Sequence, residues 1–157
     1  MKPLFIQEYD NITIIVSAID QAIIGEAQDL LFSPEEQQYY SSLIANARKA
    51  EWLTVRKILR NYLNTEFLIK YKESGKPYFY TGNFNISISH SKSHAAVILV
   101  KEGFRAGIDI EQISSRVTNV SRKFISENEM SFAEKGDLSW MTLIWCIKEV
   151  IYKIHFE

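Results

Sequence analysis

Phe84-Asn85-Ile86-Ser87-Ile88-Ser89, followed shortly by Ala95-Ala96-Val97-Ile98-Leu99-Val100, decides the class of fold. The first stretch alternates apolar and polar residues, the two-residue period of a half-buried strand. The second is a nearly all-apolar strand. Upstream, residues 12–16 are β-branched and predict another strand. Between them, residues 45–63 have helical spacing: Trp52, Val55, Leu59 and Leu63 fall on one core-facing stripe, with Arg56 and Arg60 on an adjacent one. Ser33-Pro34-Glu35-Glu36 predicts a helix start, with a serine cap, proline at the first position and acids in the first turn. Ser74-Gly75-Lys76-Pro77 is a turn by composition. Beyond the strand pair, residues 104–111 read as a third strand. Ser126-Glu127-Asn128-Glu129 has the pattern of a cap, and residues 140–155 form a helix with a broad apolar face. Strands and helices mixed in this order predict an α+β fold.

The chain has 157 residues, 46% of them apolar and 24% charged, with a formal net charge of −1. That length suits one domain or two small halves sharing a core. A net charge near zero gives no general attraction to nucleic acid or to a membrane surface, so an anionic ligand needs a local basic pocket. Cys146 is the single cysteine, which rules out an intrachain disulfide and fits a cytoplasmic location. Its neighbours Trp145 and Ile147 suggest a buried structural thiol rather than a nucleophile. Met1-Lys2-Pro3-Leu4-Phe5 has no signal-peptide core, and no apolar run is long enough to cross a bilayer.

Three groups of residues could carry chemistry. In Gly107-Ile108-Asp109-Ile110-Glu111 a strand would project Asp109 and Glu111 on one face, about 7 Å apart, and turn Ile108 and Ile110 towards a core. Two such carboxylates either share a hard divalent cation or lie on a wet edge strand, and D-x-E taken alone favours the edge strand. In Trp145-Cys146-Ile147-Lys148-Glu149-Val150-Ile151-Tyr152-Lys153, Glu149 and Lys153 are i,i+4 neighbours on a helix. They form either a surface ion pair or a metal ligand with a phosphate contact. In Ser87-Ile88-Ser89-His90-Ser91-Lys92-Ser93-His94, hydroxyls and a histidine after a strand make either a phosphate-binding corner or a self-capping loop. A Ser–His hydrolase is disfavoured, since no G-x-S-x-G elbow is present.

Taken together and in this order, the segments resemble the phosphopantetheinyl transferases, specifically the longer, pseudo-twofold type that activates peptide synthetases. The resemblance runs from Phe32-Ser33-Pro34-Glu35 through the Arg56/Arg60 helix and Gly75-Lys76-Pro77. It continues through residues 84–91, Gly107-Ile108-Asp109-Ile110-Glu111 and residues 123–129 to W-x-x-K-E-x-x-x-K at Trp145, Lys148, Glu149 and Lys153. It implies two similar α/β halves, 1–103 and 104–157, the second incomplete. It also implies Mg²⁺-dependent transfer of 4′-phosphopantetheine from coenzyme A to a serine of an acyl- or peptidyl-carrier protein, as in a holo-[acyl-carrier-protein] synthase. By the same resemblance, Asp109, Glu111 and Glu149 would hold Mg²⁺. Lys153 and His90 would contact phosphates, and Lys76, Ser89 and Arg56 would lie on the coenzyme A site. Asp109, Glu149 and Lys153 would be catalytic, with Glu149 or a metal-bound water taking the serine proton.

Two departures stand out. Family members often carry basic residues just after S-P-E, where they bind the 3′-phosphate of coenzyme A; here Glu36-Gln37-Gln38-Tyr39 stands there, leaving Arg48, Lys49 or Arg56 to substitute. The family also continues for several dozen residues beyond its lysine motif, so the chain is expected to be cut short and to self-associate as a homodimer through an exposed edge. The rival expectation is a remnant that keeps the fold and binds coenzyme A, or serves as an interaction module, without transferring anything.

Overall fold

The computed structural model describes residues 3–30, 33–63, 67–80, 83–131 and 136–155. Phe32 and the last two residues, which belong to segments discussed above, lie outside them. The architecture is α+β. An antiparallel sheet contains β1 (Phe5–Tyr9), β2 (Ile12–Ala18), β5 (Phe84–His90) and β6 (His94–Lys101), in the order β1-β2-β6-β5. A two-stranded hairpin, β3 (Ile69–Tyr71) with β4 (Pro77–Phe79), forms a separate sheet that packs beside β5 and places Ile69 in the core under α3. The turn between these strands is the anticipated Ser74–Pro77 segment. Gly75 takes a φ of +88° there, a backbone conformation open to glycine and strained for other residues.

The helices are α1 (Ala27–Leu30), α2 (Pro34–Ser42), α3 (Asn46–Leu63), α4 (Arg116–Val120), α5 (Glu127–Met130) and α6 (Leu138–His155). Helix α2 starts as its sequence predicts: the Ser33 hydroxyl accepts the Glu36 backbone N–H at 3.1 Å, and Pro34 occupies the first turn. Helix α3 lies across one face of the sheet. Its Val55, Ile58 and Leu59 pack with Ile15, Ile86, Val97 and Leu99, residues that alternate along β2, β5 and β6 and so share that face. A second cluster joins Trp52 and Leu53 of α3 to Ile23 and Leu30. A third, formed by Ile125, Met141 and Ile144, holds α6 against residues 117–125.

The predicted strand over residues 104–111 does not form. Beyond Phe104, whose N–H donates to the Lys101 carbonyl at the end of β6, the segment runs beside β5 in steps of two residues and is held by side chains. The Ile108 N–H donates to the Ser87 hydroxyl at 3.3 Å and the Ile110 N–H to the Ser89 hydroxyl at 3.4 Å. The Ile108 carbonyl accepts from Lys153 at 2.8 Å. Side chains supply the partners that a ladder would supply, so the segment is anchored without joining the sheet. Ile108 and Ile110 are only half-buried and belong to none of the three core clusters, contrary to the expectation that they face a core.

No helix among the described residues is long and apolar enough to cross a membrane.

Candidate functional site

The deepest acid on this face is Asp109. Its side chain is 5% exposed, because Ser87 and Ser89 of β5 hold the backbone on either side of it against the sheet. Oδ1 accepts from the Ser89 hydroxyl at 2.7 Å and from the Lys153 ammonium at 2.9 Å. Oδ2 is buried and has no hydrogen-bond partner. Lys153 reaches it because α6 passes very close to Gly107. A Cβ built at Gly107 would lie 2.7 Å from the Val150 carbonyl oxygen and 3.3 Å from Lys153 Cβ. The glycine is needed for space, since any side chain would push α6 and its lysine away.

Glu111 and Glu149 belong to the same electrostatic neighbourhood. Partial burial raises the Glu111 pKa above the ordinary carboxylate value, and the charges of Asp109 and Glu149 push it the same way, against the Gln112 backbone N–H and Lys153. Cys146 faces this cluster too. Burial first, then the neighbouring Asp109 carboxylate, push the thiol up to about 12, the opposite of what an activated thiolate needs. The thiol is half-buried rather than buried.

The donor set fits a hard divalent cation: carboxylates that repel one another, one of them with a buried oxygen lacking a partner. As they stand, no three His, Cys, Asp or Glu side chains among the described residues are grouped to hold a metal ion.

Lys153 also lines a cleft of about 210 Å³, which it shares with His90 at the end of β5, Arg48, Glu51, Trp52 and Arg56 of α3, Tyr39 of α2 and Tyr71 of β3. Of the residues expected at a coenzyme A site, His90, Lys153 and Arg56 therefore come together here. Ser89 lies one residue from His90 and faces Asp109 instead. Lys76 is at the rim: its neighbours Gly75 and Pro77 line the cleft, and it is not itself part of the lining.

Arg56 differs most from its expected role. It is 1% exposed, its Nε donates to the Glu36 carboxylate at 3.2 Å, and its guanidinium lies 3.4 Å from the centre of the Trp52 ring. The acidic Glu36 that departs from the family pattern is thus the internal counter-ion of Arg56 and is only 3% exposed. His90 accepts from Arg48 Nη1 at Nε2, 2.9 Å away, because a guanidinium can only donate. That leaves Nδ1 to face Glu51 at 3.5 Å. Burial lowers the His90 pKa, the Glu51 charge works against that, and Arg48 and Lys153 add to the lowering.

Lys148 ties α6 to α5 and to the turn before α5, donating to the Phe124 carbonyl and, at 2.9 Å, to the Glu129 carboxylate. Tyr39, Tyr71 and Glu51 gave no functional signal in sequence. They come from α2, β3 and α3, and only tertiary packing brings them to one wall.

The sequence model of the 4′-phosphopantetheinyl transferase superfamily matches residues 105–157, the segment that carries Asp109, Glu111, Lys148, Glu149 and Lys153. No curated protein sequence matches the chain. Among solved structures, a holo-(acyl-carrier-protein) synthase from Bacillus anthracis in complex with CoA (3′,5′-ADP) is similar at 19% identity and a TM-score of 0.43, covering 57% of this chain and 96% of that one. A likeness at that level transfers no residue roles.

Proposed function

We propose that the chain is a cytoplasmic 4′-phosphopantetheinyl transferase of the longer, pseudo-twofold type, with halves 1–103 and 104–157, that modifies a serine of an acyl- or peptidyl-carrier protein. The observation that carries this reading is the Asp109 site. Its buried Oδ2 lacks a partner while Lys153 and Ser89 fix Oδ1 beside it, within the segment that matches the transferase family. Asp109, Glu111 and Glu149 would hold Mg²⁺, which would offset the negative charge of the donor pyrophosphate.

The chain's own groups do the rest. Lys153, on the rigid helix α6, positions the pyrophosphate from the cleft side. Glu149 accepts the proton from the carrier serine hydroxyl as that oxygen bonds to the β-phosphorus. The phosphorus–oxygen bond to the nucleotide breaks, and 3′,5′-adenosine bisphosphate leaves with the electron pair. Phosphoryl transfer depends mainly on position and charge neutralisation, which suits a site with no nucleophile of its own.

The test is to incubate the chain with Mg²⁺, coenzyme A and an apo carrier protein and to weigh the carrier. The expected result is a gain of one phosphopantetheine, abolished by chelation and reduced by about 10²-fold or more in Glu149→Gln. The rival reading, a remnant that binds coenzyme A without transfer, is favoured by the lack of a ready three-acid group among the described residues. Coenzyme A binding with no change in carrier mass would establish it.

A further inference from the structure

We infer that Cys146 adds a sulfur ligand to the acid cluster, so that the site takes up zinc and similar borderline-soft cations in preference to Mg²⁺. The inference rests on the acid cluster of the transferase reading and needs no transfer step. Magnesium is a hard ion served by oxygen, and a thiol gives it nothing. Zinc and related transition metals take cysteine sulfur and carboxylate oxygen together.

Helix geometry puts the sulfur on the side of the acids. Cys146 lies three residues before Glu149 and seven before Lys153, so all three share one side of α6. Lys153 shows where that side looks, since it donates to Asp109 Oδ1 at 2.9 Å. Cys146 is half-buried there, with Asp109 and Glu111 as its acidic neighbours and Lys153 as its basic one. Asp109 supplies the other half of the site. Its side chain is 5% exposed, Ser89 and Lys153 both donate to Oδ1, and Oδ2 is buried with no partner. A buried carboxylate oxygen without a partner calls for a cation, and a cation that also accepts sulfur satisfies the thiol beside it. Among the described residues no three such side chains are grouped as they stand, so the cation draws Glu149 in and fills the rest of its shell with water. On binding, the sulfur–metal bond forms, the thiol proton passes to solvent and no electron is transferred.

Cobalt(II) is the probe. Thiolate ligation gives it a sulfur-to-metal charge-transfer band in the near ultraviolet, and the chain has one cysteine to supply it. The expected result is that band on titrating the whole chain with cobalt, and its loss when zinc, but not an equal concentration of magnesium, displaces the cobalt. Cys146→Ser should lack the band, with magnesium affinity unchanged. Its zinc affinity by calorimetry should fall by about 10–100-fold or more, since even the loss of an outer-shell partner costs a site that much. Asp109→Asn keeps the thiol and should also lose the band. Circular dichroism checks the fold of each variant, and Cys146→Ala serves if the serine variant does not fold. No band in the wild type with excess cobalt, a band that survives Asp109→Asn, or equal zinc affinity in Cys146→Ser overturns the inference. Each of these leaves the transferase reading in place, because the magnesium-dependent gain in carrier mass is measured separately.

Discussion

Asp109 and Gly107 show how a five-residue motif acts at the scale of single atoms. The glycine lets the α6 backbone approach, the approach brings Lys153 to Asp109, and the serines of β5 hold the segment in register. The carboxylate was legible beside Glu111 and the lysine beside Glu149, whereas their contact with each other was not. The glycine's reason was not, since the nearest atom to its missing side chain is a carbonyl 43 residues away in sequence, at Val150. Gly107→Ala is therefore predicted to destabilise the chain by about 1–3 kcal/mol through overpacking, with no contribution from backbone strain. Chemical denaturation measures the loss. Hydrogen exchange should show weakened protection of α6 around Val150 rather than of the sheet. An alanine variant as stable as the wild type would mean that α6 can move aside freely.

At the scale of elements, long periodic segments were readable and short ones were not. Helices α3 and α6 and strand β5 follow from spacing, β2 from its β-branched residues, and β6 from an apolar run that is buried on both faces. Strand β1 is exposed along its whole length, so it has no alternating pattern to find. Residues 104–111 were misread because alternation reports which side chains face inwards, not whether a neighbouring backbone supplies hydrogen bonds. The Ser126 cap was legible and is a full capping box. The Ser126 hydroxyl accepts from the Glu129 N–H at 3.3 Å, and the Ser126 N–H donates to Glu129 Oε2 at 2.7 Å. That carboxylate also receives Lys148 of α6, so a four-residue helix anchors an eighteen-residue one. The Ser126 N–H above all, then Lys148 and the Ser126 hydroxyl, hold the Glu129 pKa down to about 2. A pKa depressed on folding means stability that is fully present above the ordinary value and is lost as pH falls through the folded one. Glu129→Gln should accordingly be less stable than the wild type at neutral pH, with the gap closing between about pH 4.5 and pH 2. Denaturant midpoints taken down the acid limb would show it. A gap of constant size would mean that the carboxylate's charge does not matter to the anchor.

At the scale of the molecule, the apolar surface is unevenly covered. The sheet and α3 bury two clusters, while α6 buries only one flank, with Met141 and Ile144 in the third. Its other flank carries Leu143, Ile147 and Ile151, which are 50%, 44% and 48% exposed and recur every four residues along one stripe. The homodimer expected from the sequence remains a proposal, and this stripe is where it would form. Two copies of α6 crossing antiparallel about a twofold axis would set Ile147 against its equivalent and Leu143 against Ile151, so that one patch completes itself. Apolar stripes of this kind are seldom left in water, and a self-complementary pairing closes without leaving a second patch to propagate. The chain is predicted to sediment as a dimer at micromolar concentration and to dissociate on heavy dilution. Ile147→Lys should give a monomer while leaving Tm within a few degrees, because the side chain it replaces lies outside the core clusters. Met141→Lys, which strikes the buried flank, should instead detach α6 from residues 117–125 and lower Tm sharply, so the two substitutions separate loss of association from loss of fold. A wild-type chain that sediments as a monomer across the whole concentration range would leave this stripe without a second copy as its partner.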